Sequence, residues 1–201
     1  LSVGMIFTLS NCLASWIVVG SPVQVFFGVV GVLLVGALCG AINGAIVIYG
    51  RLQPIVTTIA TGAVYYGIAL AIRPNPGGSV DETLADFFTG RFFGFIPASL
   101  MTLAAVVLVV WVPFSRSVTG RAAYAVGSSE AAAYMSGVNI RRAKFAAYTL
   151  SGLLAGIGGL FLTFFTYTGE AAYASGNAYT LFSIAAVVLG TVPVVGATAG
   201  T

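Results

Sequence analysis

The chain has 201 residues, 59% of them hydrophobic and 6% charged, with a net charge of +3. A soluble domain carries about 25% charged residues, so this composition, with a mean hydropathy of +1.04, excludes an ordinary water-soluble fold and makes lipid the solvent. The absence of histidine removes the usual general base, proton relay and commonest metal ligand.

Six apolar stretches are predicted, giving an all-α, polytopic transmembrane bundle. The first covers residues 3–19 and stops at Gly20-Ser21-Pro22. The second, 23–49, is long enough to cross about 30 Å of hydrocarbon with tilt to spare. The third, 55–72, follows Pro54, the fourth lies in 99–114 and the fifth in 146–166. The sixth begins near residue 181 and loses its clean pattern after Gly190. Leu1 opens inside an apolar run and Thr201 ends in a Gly/Ala/Thr stretch. The whole of 1–201 is therefore read as one transmembrane domain, truncated at both ends.

Loop charges set an orientation. Segment 115–145 holds Arg116, Arg121, Arg141, Arg142 and Lys144 against Glu130, and the positive-inside rule makes it cytoplasmic. Alternation then places the turn at 50–53, with Arg51, on the same side. Segment 73–98, with Asp81, Glu82 and Asp86 against Arg73 and Arg91, falls outside, as does Glu170. In that outer loop Asn75-Pro76-Gly77-Gly78 is read as a turn and 81–88 as one or two helical turns. The aromatics that follow suit the membrane interface or an external partner.

Gly36, Gly40 and Gly44, four apart, form one flat face on the second helix. Such a face lets helices approach closely in lipid; tight packing and a face that slides are both open readings. Gly152, Gly156 and Gly159 suggest a similar face on the fifth helix. Cys12 and Cys39 lie in apolar stretches without metal-binding spacing and are read as small packing residues.

No phosphate-binding GxxxxGK[ST] loop, carboxylate pair beside a nucleophile or metal-ligand cluster is present. No enzymatic activity and no directly bound cofactor are expected. Acidic and basic residues avoid the middles of the apolar stretches, which weighs against a proton-coupled carrier. Uncharged polar groups do occur there. Asn43, Thr57, Thr58, Thr61 and Tyr65 are candidates for a translocation pathway, with interhelical bonding as the other reading of each. Asn43 stands out because it lies beside the glycine face.

The cytoplasmic segment carries one further signal. Ser128 or Ser129 can cap a short helix, and Glu130 at its start suits the helix dipole. Ala131, Ala132 and Ala133 continue it, Tyr134 and Met135 are available as anchors, and Gly137 can end it in the left-handed conformation. A docking element for a cytoplasmic protein needs both caps and an apolar helix; a plain loop does not.

Motifs in chain order carry a resemblance. Leu1-Ser2-Val3-Gly4 resembles a "DLSVG" element. Gly40-Ala41-Ile42-Asn43-Gly44 and Gln53-Pro54-Ile55-Val56-Thr57-Thr58 resemble "G-x-x-N-G" and "P-x-I-V-T-L". Thr119-Gly120-Arg121, Tyr124-Ala125-Val126-Gly127 and Ser136-Gly137-Val138 resemble the cytoplasmic loop "GR…YAVGGN…A…SGI". Ser151-Gly152-Leu153-Leu154-Ala155-Gly156 and Ala185-Ala186-Val187-Val188-Leu189-Gly190 resemble the two helices after it. Together these resemble the permeases of ABC sugar importers, the ribose-type branch.

The resemblance implies a multi-pass permease of the cell (inner) membrane. It also implies a separate ATPase subunit that binds ATP, an extracytoplasmic solute-binding protein and a second permease subunit, identical or related. Ser128 to Gly137, including Glu130, Ala131, Ala132, Tyr134 and Met135, would be the ATPase-coupling helix. Two departures stand out. In the importer pattern "E-A-A-x-x-x-G", counted back from Gly137, the Glu place holds Ala131. After Gly190 the chain is more apolar than the pattern's glycine-rich break. Branched-chain amino acids or nucleosides as cargo, and a self-contained carrier or channel, are the alternatives.

Overall fold

The computed structural model describes residues 1–18, 22–77, 91–92, 96–171 and 173–196. Its helices are α1 (Val3–Ile17), α2 (Pro22–Tyr49), α3 (Pro54–Ile72), α4 (Ala98–Val106), α5 (Val112–Arg116), α6 (Val118–Ser128), α7 (Glu130–Met135), α8 (Ile140–Thr166) and α9 (Tyr173–Gly196). A π-helical turn, Val107–Trp111, joins α4 to α5. A short antiparallel pair, β1 (Arg91–Phe92) with β2 (Ile96–Pro97), precedes α4. Among the described residues four stretches are long and apolar enough to cross a membrane: Val23–Tyr49, Pro54–Ile72, Ala98–Arg116 and Ile140–Thr166. The helical membrane bundle expected from composition is the observed fold.

Proline sets two of the starts. Pro22 and Pro54 each open a helix, where the missing N–H costs nothing and the fixed φ is already helical. Proline also marks the π turn. Pro113 lacks the N–H that would bond one turn back. Just before it the Val112 N–H reaches Val107 O, five residues back.

The first apolar stretch is shorter than expected. α1 has 15 residues, about 22 Å of rise, against a core of about 30 Å. Ten of its residues are buried, and it packs against α2, α3, α8 and α9. It is a central strut of the bundle. Met5, Ile6, Leu9 and Cys12 join Cys39, Tyr65, Ala69 and Ala155 in the main core. Cys39 and Cys12 are free and buried, consistent with packing.

The most extensive helix contact is between α2 and α8, and its glycines explain why. A Cβ on Gly36 would stand 2.8 Å from Gly152 O, and one on Gly152 would stand 2.7 Å from Gly40 Cα. Gly36 and Gly40 therefore meet Gly152 and Gly156 backbone to backbone, whereas Gly44 meets the Tyr148 side chain and Gly159 faces α1.

Three boundaries move. The fifth stretch, expected from about residue 146, begins at Ile140, because the Asn139 side chain accepts from Arg142 N at 3.1 Å and caps the helix there. The sixth begins at Tyr173 rather than near residue 181. Segment 115–145, expected as a loop with one short helix, holds α6, α7 and the first turn of α8. Ser117 caps α6 by accepting from Gly120 N at 3.0 Å. The expected helical turns at 81–88 lie outside the described residues.

The bundle has two distinct ends. At one, Gly77 and Gly169 exchange backbone hydrogen bonds of 3.1 and 3.0 Å. At the other, the α2–α3 turn with Arg51 faces Glu130, Arg141 and Lys144 across a groove. The predicted cytoplasmic segments thus share one end.

Candidate functional site

α7 is a short helix locked at both ends. The Ser129 hydroxyl accepts from Ala132 N at 3.3 Å. Gly137 has φ +74°, its N–H bonds Tyr134 O at 3.0 Å, and Val138 N bonds Ala133 O at 3.1 Å. This paired closure past a left-handed residue is the Schellman motif. Both Glu130 carboxylate oxygens accept from Lys144 Nζ at 2.8 Å, tying the start of α7 to α8. Ala133 alone is buried in α7, while Tyr134 is 74% and Met135 88% exposed. Two large amphipathic side chains are held outward on a rigid turn. Ala131 and Ala132 are exposed beside them. Ser128 is the last residue of α6, its hydroxyl turned to Ala125 O at 2.9 Å, so the capping role falls to Ser129.

The other predicted residues gather on the inner flank of α1. Asn43 is 2% exposed. Its Nδ2 donates to Ser2 Oγ at 2.7 Å, and the Tyr65 hydroxyl lies 3.1 Å from its Oδ1 and 3.0 Å from Cys39 O. The amide thereby joins the start of α1 to α2 and α3. Thr57, Thr58 and Thr61 donate back to Gln53 O, Pro54 O and Thr57 O at 3.0, 2.9 and 3.0 Å, the usual way a hydroxyl is satisfied inside a helix. Replacing Asn43 with leucine removes the donor to the buried Ser2 hydroxyl and one of the two acceptors of Tyr65, and is expected to cost about 1–2 kcal/mol. A lower melting temperature of the detergent-purified protein checks it.

A second polar cluster pins the far end of α1, and there Asn11, an uncharged polar residue within the first apolar stretch, bonds across helices. Asn11 Nδ2 donates to Thr163 Oγ1 at 2.9 Å, and its Oδ1 accepts from Glu170 N at 2.8 Å. Arg73 donates to Ser15 Oγ and Ser15 O at 3.0 and 2.9 Å. A guanidinium suits these carbonyls because the C-terminal end of a helix carries partial negative charge.

A cavity of about 980 Å³ opens between α1, α5, α6, α8 and α9. Its polar lining comes from Tyr124, Ser128, Ser151, Tyr179, Thr180 and Ser183. Asn43, Thr57, Thr58, Thr61 and Tyr65 do not line it. The spacing Tyr179–Ser183 and Thr180–Ile184 on α9 was a readable helical face. It carried no signal because apolar neighbours share it.

The family profile described as "branched-chain amino acid transport system / permease component" matches residues 1–201. The chain belongs to this permease family. The ribose import permease protein of Haemophilus influenzae is 33% identical over 195 residues, covering 94% of this chain and 59% of that protein. That of Bacillus subtilis is 36% identical over 193 residues, covering 94% and 59%. The D-allose transport system permease protein of Escherichia coli is 29% identical over 191 residues, covering 94% and 58%. The chain thus spans 59% of the length of the ribose permeases it matches. No solved structure matches it significantly. In permease-family terms, α1–α9 form an integral membrane bundle, and α7 is a feature of its basic end.

Proposed function

We propose that this chain is the membrane-spanning part of a permease subunit that imports a sugar across the cell (inner) membrane. ATP is hydrolysed on a separate ATPase subunit, which docks on α7. A binding protein delivers the sugar at the opposite end, and a second permease subunit completes the pore.

The observation that carries this reading is α7 itself. Capped at Ser129 and Gly137, it presents Tyr134 and Met135 almost fully to solvent at the end rich in arginine. An exposed aromatic and a methionine on a rigid turn are anchors for a protein partner. Cargo is argued from the relatives, two of which carry the name ribose and one D-allose. Asn43 and Tyr65 fit a role in holding the start of α1, which borders the cavity, while the hydroxyls of Thr57, Thr58 and Thr61 are satisfied within α3.

The test is ribose uptake by cells that lack their own ribose permease and are supplied with the full-length subunit, its ATPase and its binding protein. Uptake is expected to require the ATPase. Glu130→Arg sets a cation against Lys144 and is expected to reduce uptake several-fold at unchanged membrane abundance. Uptake that persists without the ATPase contradicts the reading and assigns a self-contained carrier.

A further inference from the structure

The groove between the α2–α3 turn and the α7–α8 junction, about 700 Å³, has a chemistry that α7 docking leaves unexplained. Arg51, Arg141 and Lys144 line it against one carboxylate, Glu130, which Lys144 already engages. Among the described residues neither Arg51 nor Arg141 has a carboxylate partner. Two positive charges therefore stand unbalanced.

The helix dipole deepens that imbalance. Arg141 and Arg142 sit in the first turn of α8, where it disfavours cations, and an anion in the groove would offset that charge. Arg51 itself holds a left-handed backbone, φ +51°.

The walls say which anion. Val47 and Ile48 from α2 line the groove together with Leu52 and Ile140. From Leu52 the apolar surface continues onto α3, where Ile55 is 56% and Val56 61% exposed. α2 and α3 are both spanning helices, so this wall runs from the groove into hydrocarbon. An acidic protein segment would meet the charges but could not follow the wall. An acyl chain follows it, with its headgroup phosphate among the guanidinium groups. Basic pockets between helices at a membrane surface hold anionic headgroups in this way.

We infer that this groove binds an anionic phospholipid, its phosphate held by Arg51 and Arg141 and its acyl chain laid along α2 and α3. The inference rests on the membrane-spanning fold and not on the cargo or on ATP coupling.

The full-length permease is purified in mild detergent with equal amounts of phosphatidylglycerol and phosphatidylcholine, and the retained lipid is measured. Wild type is expected to retain phosphatidylglycerol in several-fold preference. Arg51→Asn combined with Arg141→Gln, in which asparagine tolerates the left-handed backbone, is expected to bring the two lipids to parity. Arg116→Gln combined with Arg121→Gln removes the same charge elsewhere and is expected to keep the preference. Equal loss in both double variants would reduce the effect to net charge and overturn the site. Parity in wild type overturns it as well. If the Arg51/Arg141 variant keeps the preference but fails to hold the ATPase, the groove belongs to an acidic protein segment instead.

Discussion

Replacing Gly152 with valine is expected to leave little folded protein. A Cβ at this position would collide with Gly36 O and stand 2.7 Å from both the N and Cα atoms of Gly40. The obstacle is backbone on an opposing long helix, which cannot turn aside as a flexible side chain does. Overpacking a core costs about 1–3 kcal/mol where neighbours can adjust; here the α2–α8 contact must open, so the loss should exceed about 3 kcal/mol. Gly31 and Gly67 make the contrast, because nothing lies within 4 Å of a Cβ built on either. Alanine there should be neutral or stabilising by up to about 1 kcal/mol. Thermal unfolding monitored by size-exclusion profile separates the two classes. A Gly152→Val protein that melts with wild type would show that α2 and α8 do not meet through these glycines.

The second large effect is expected at Gly137. Its φ of +74° is closed to proline, whose ring holds φ near −65°. The substitution also removes the N–H that bonds Tyr134 O at 3.0 Å and disturbs the Val138–Ala133 bond. A penalty of about 3 kcal/mol corresponds to roughly a hundredfold fall in the population of correctly closed α7, at 1.4 kcal/mol per factor of ten. ATP-driven uptake should fall by up to that factor. Membrane abundance should not change, because α7 is exposed and carries little of the core. Gly137→Ala, at about 1–2 kcal/mol for the left-handed state, should fall between. Full uptake by the proline variant at normal abundance would remove α7 from the transport mechanism.

What was legible in the sequence is what local chemistry decides. The four-residue glycine spacing on α2 and the glycines of α8 announced a close contact, and the structure pairs them. The Ser–Glu start and Gly137 end of α7 were readable because caps are local. Pro54 marked the start of α3 for the same reason.

What was not legible depends on partners far along the chain. Asn43 looks the same in a sequence whether it lines a path or is locked between Ser2 and Tyr65. Only the approach of α1 to α2 and α3 distinguishes them. Asn11 and Thr163 meet across 152 residues, and nothing near either residue foretells the other. α6 was passed over because Gly120 and Gly127 weaken a helical reading, although Ser117 was a usable cap. Gly120 is there because a Cβ would strike the Phe114 carbonyl oxygen. The apolar run of α1 predicts a membrane segment but not its neighbours. Its burial against four helices, with Ser10, Asn11 and Ser15 all enclosed, shows that much of the run serves packing.

The most direct test of the central claim is cross-linking at position 132. Ala132 is exposed on α7 beside Tyr134 and Met135, so a cysteine there tolerates modification without entering the core. The full-length Ala132→Cys permease is co-purified with its candidate ATPase subunit, bearing single cysteines on its membrane-facing surface, and treated with a short thiol cross-linker. The account predicts a stable complex and a cross-link through position 132 that is absent when cysteine is placed at Gly77, at the opposite end of the bundle. A folded permease that binds no ATPase, or a complex cross-linked from Gly77 and not from position 132, would contradict it.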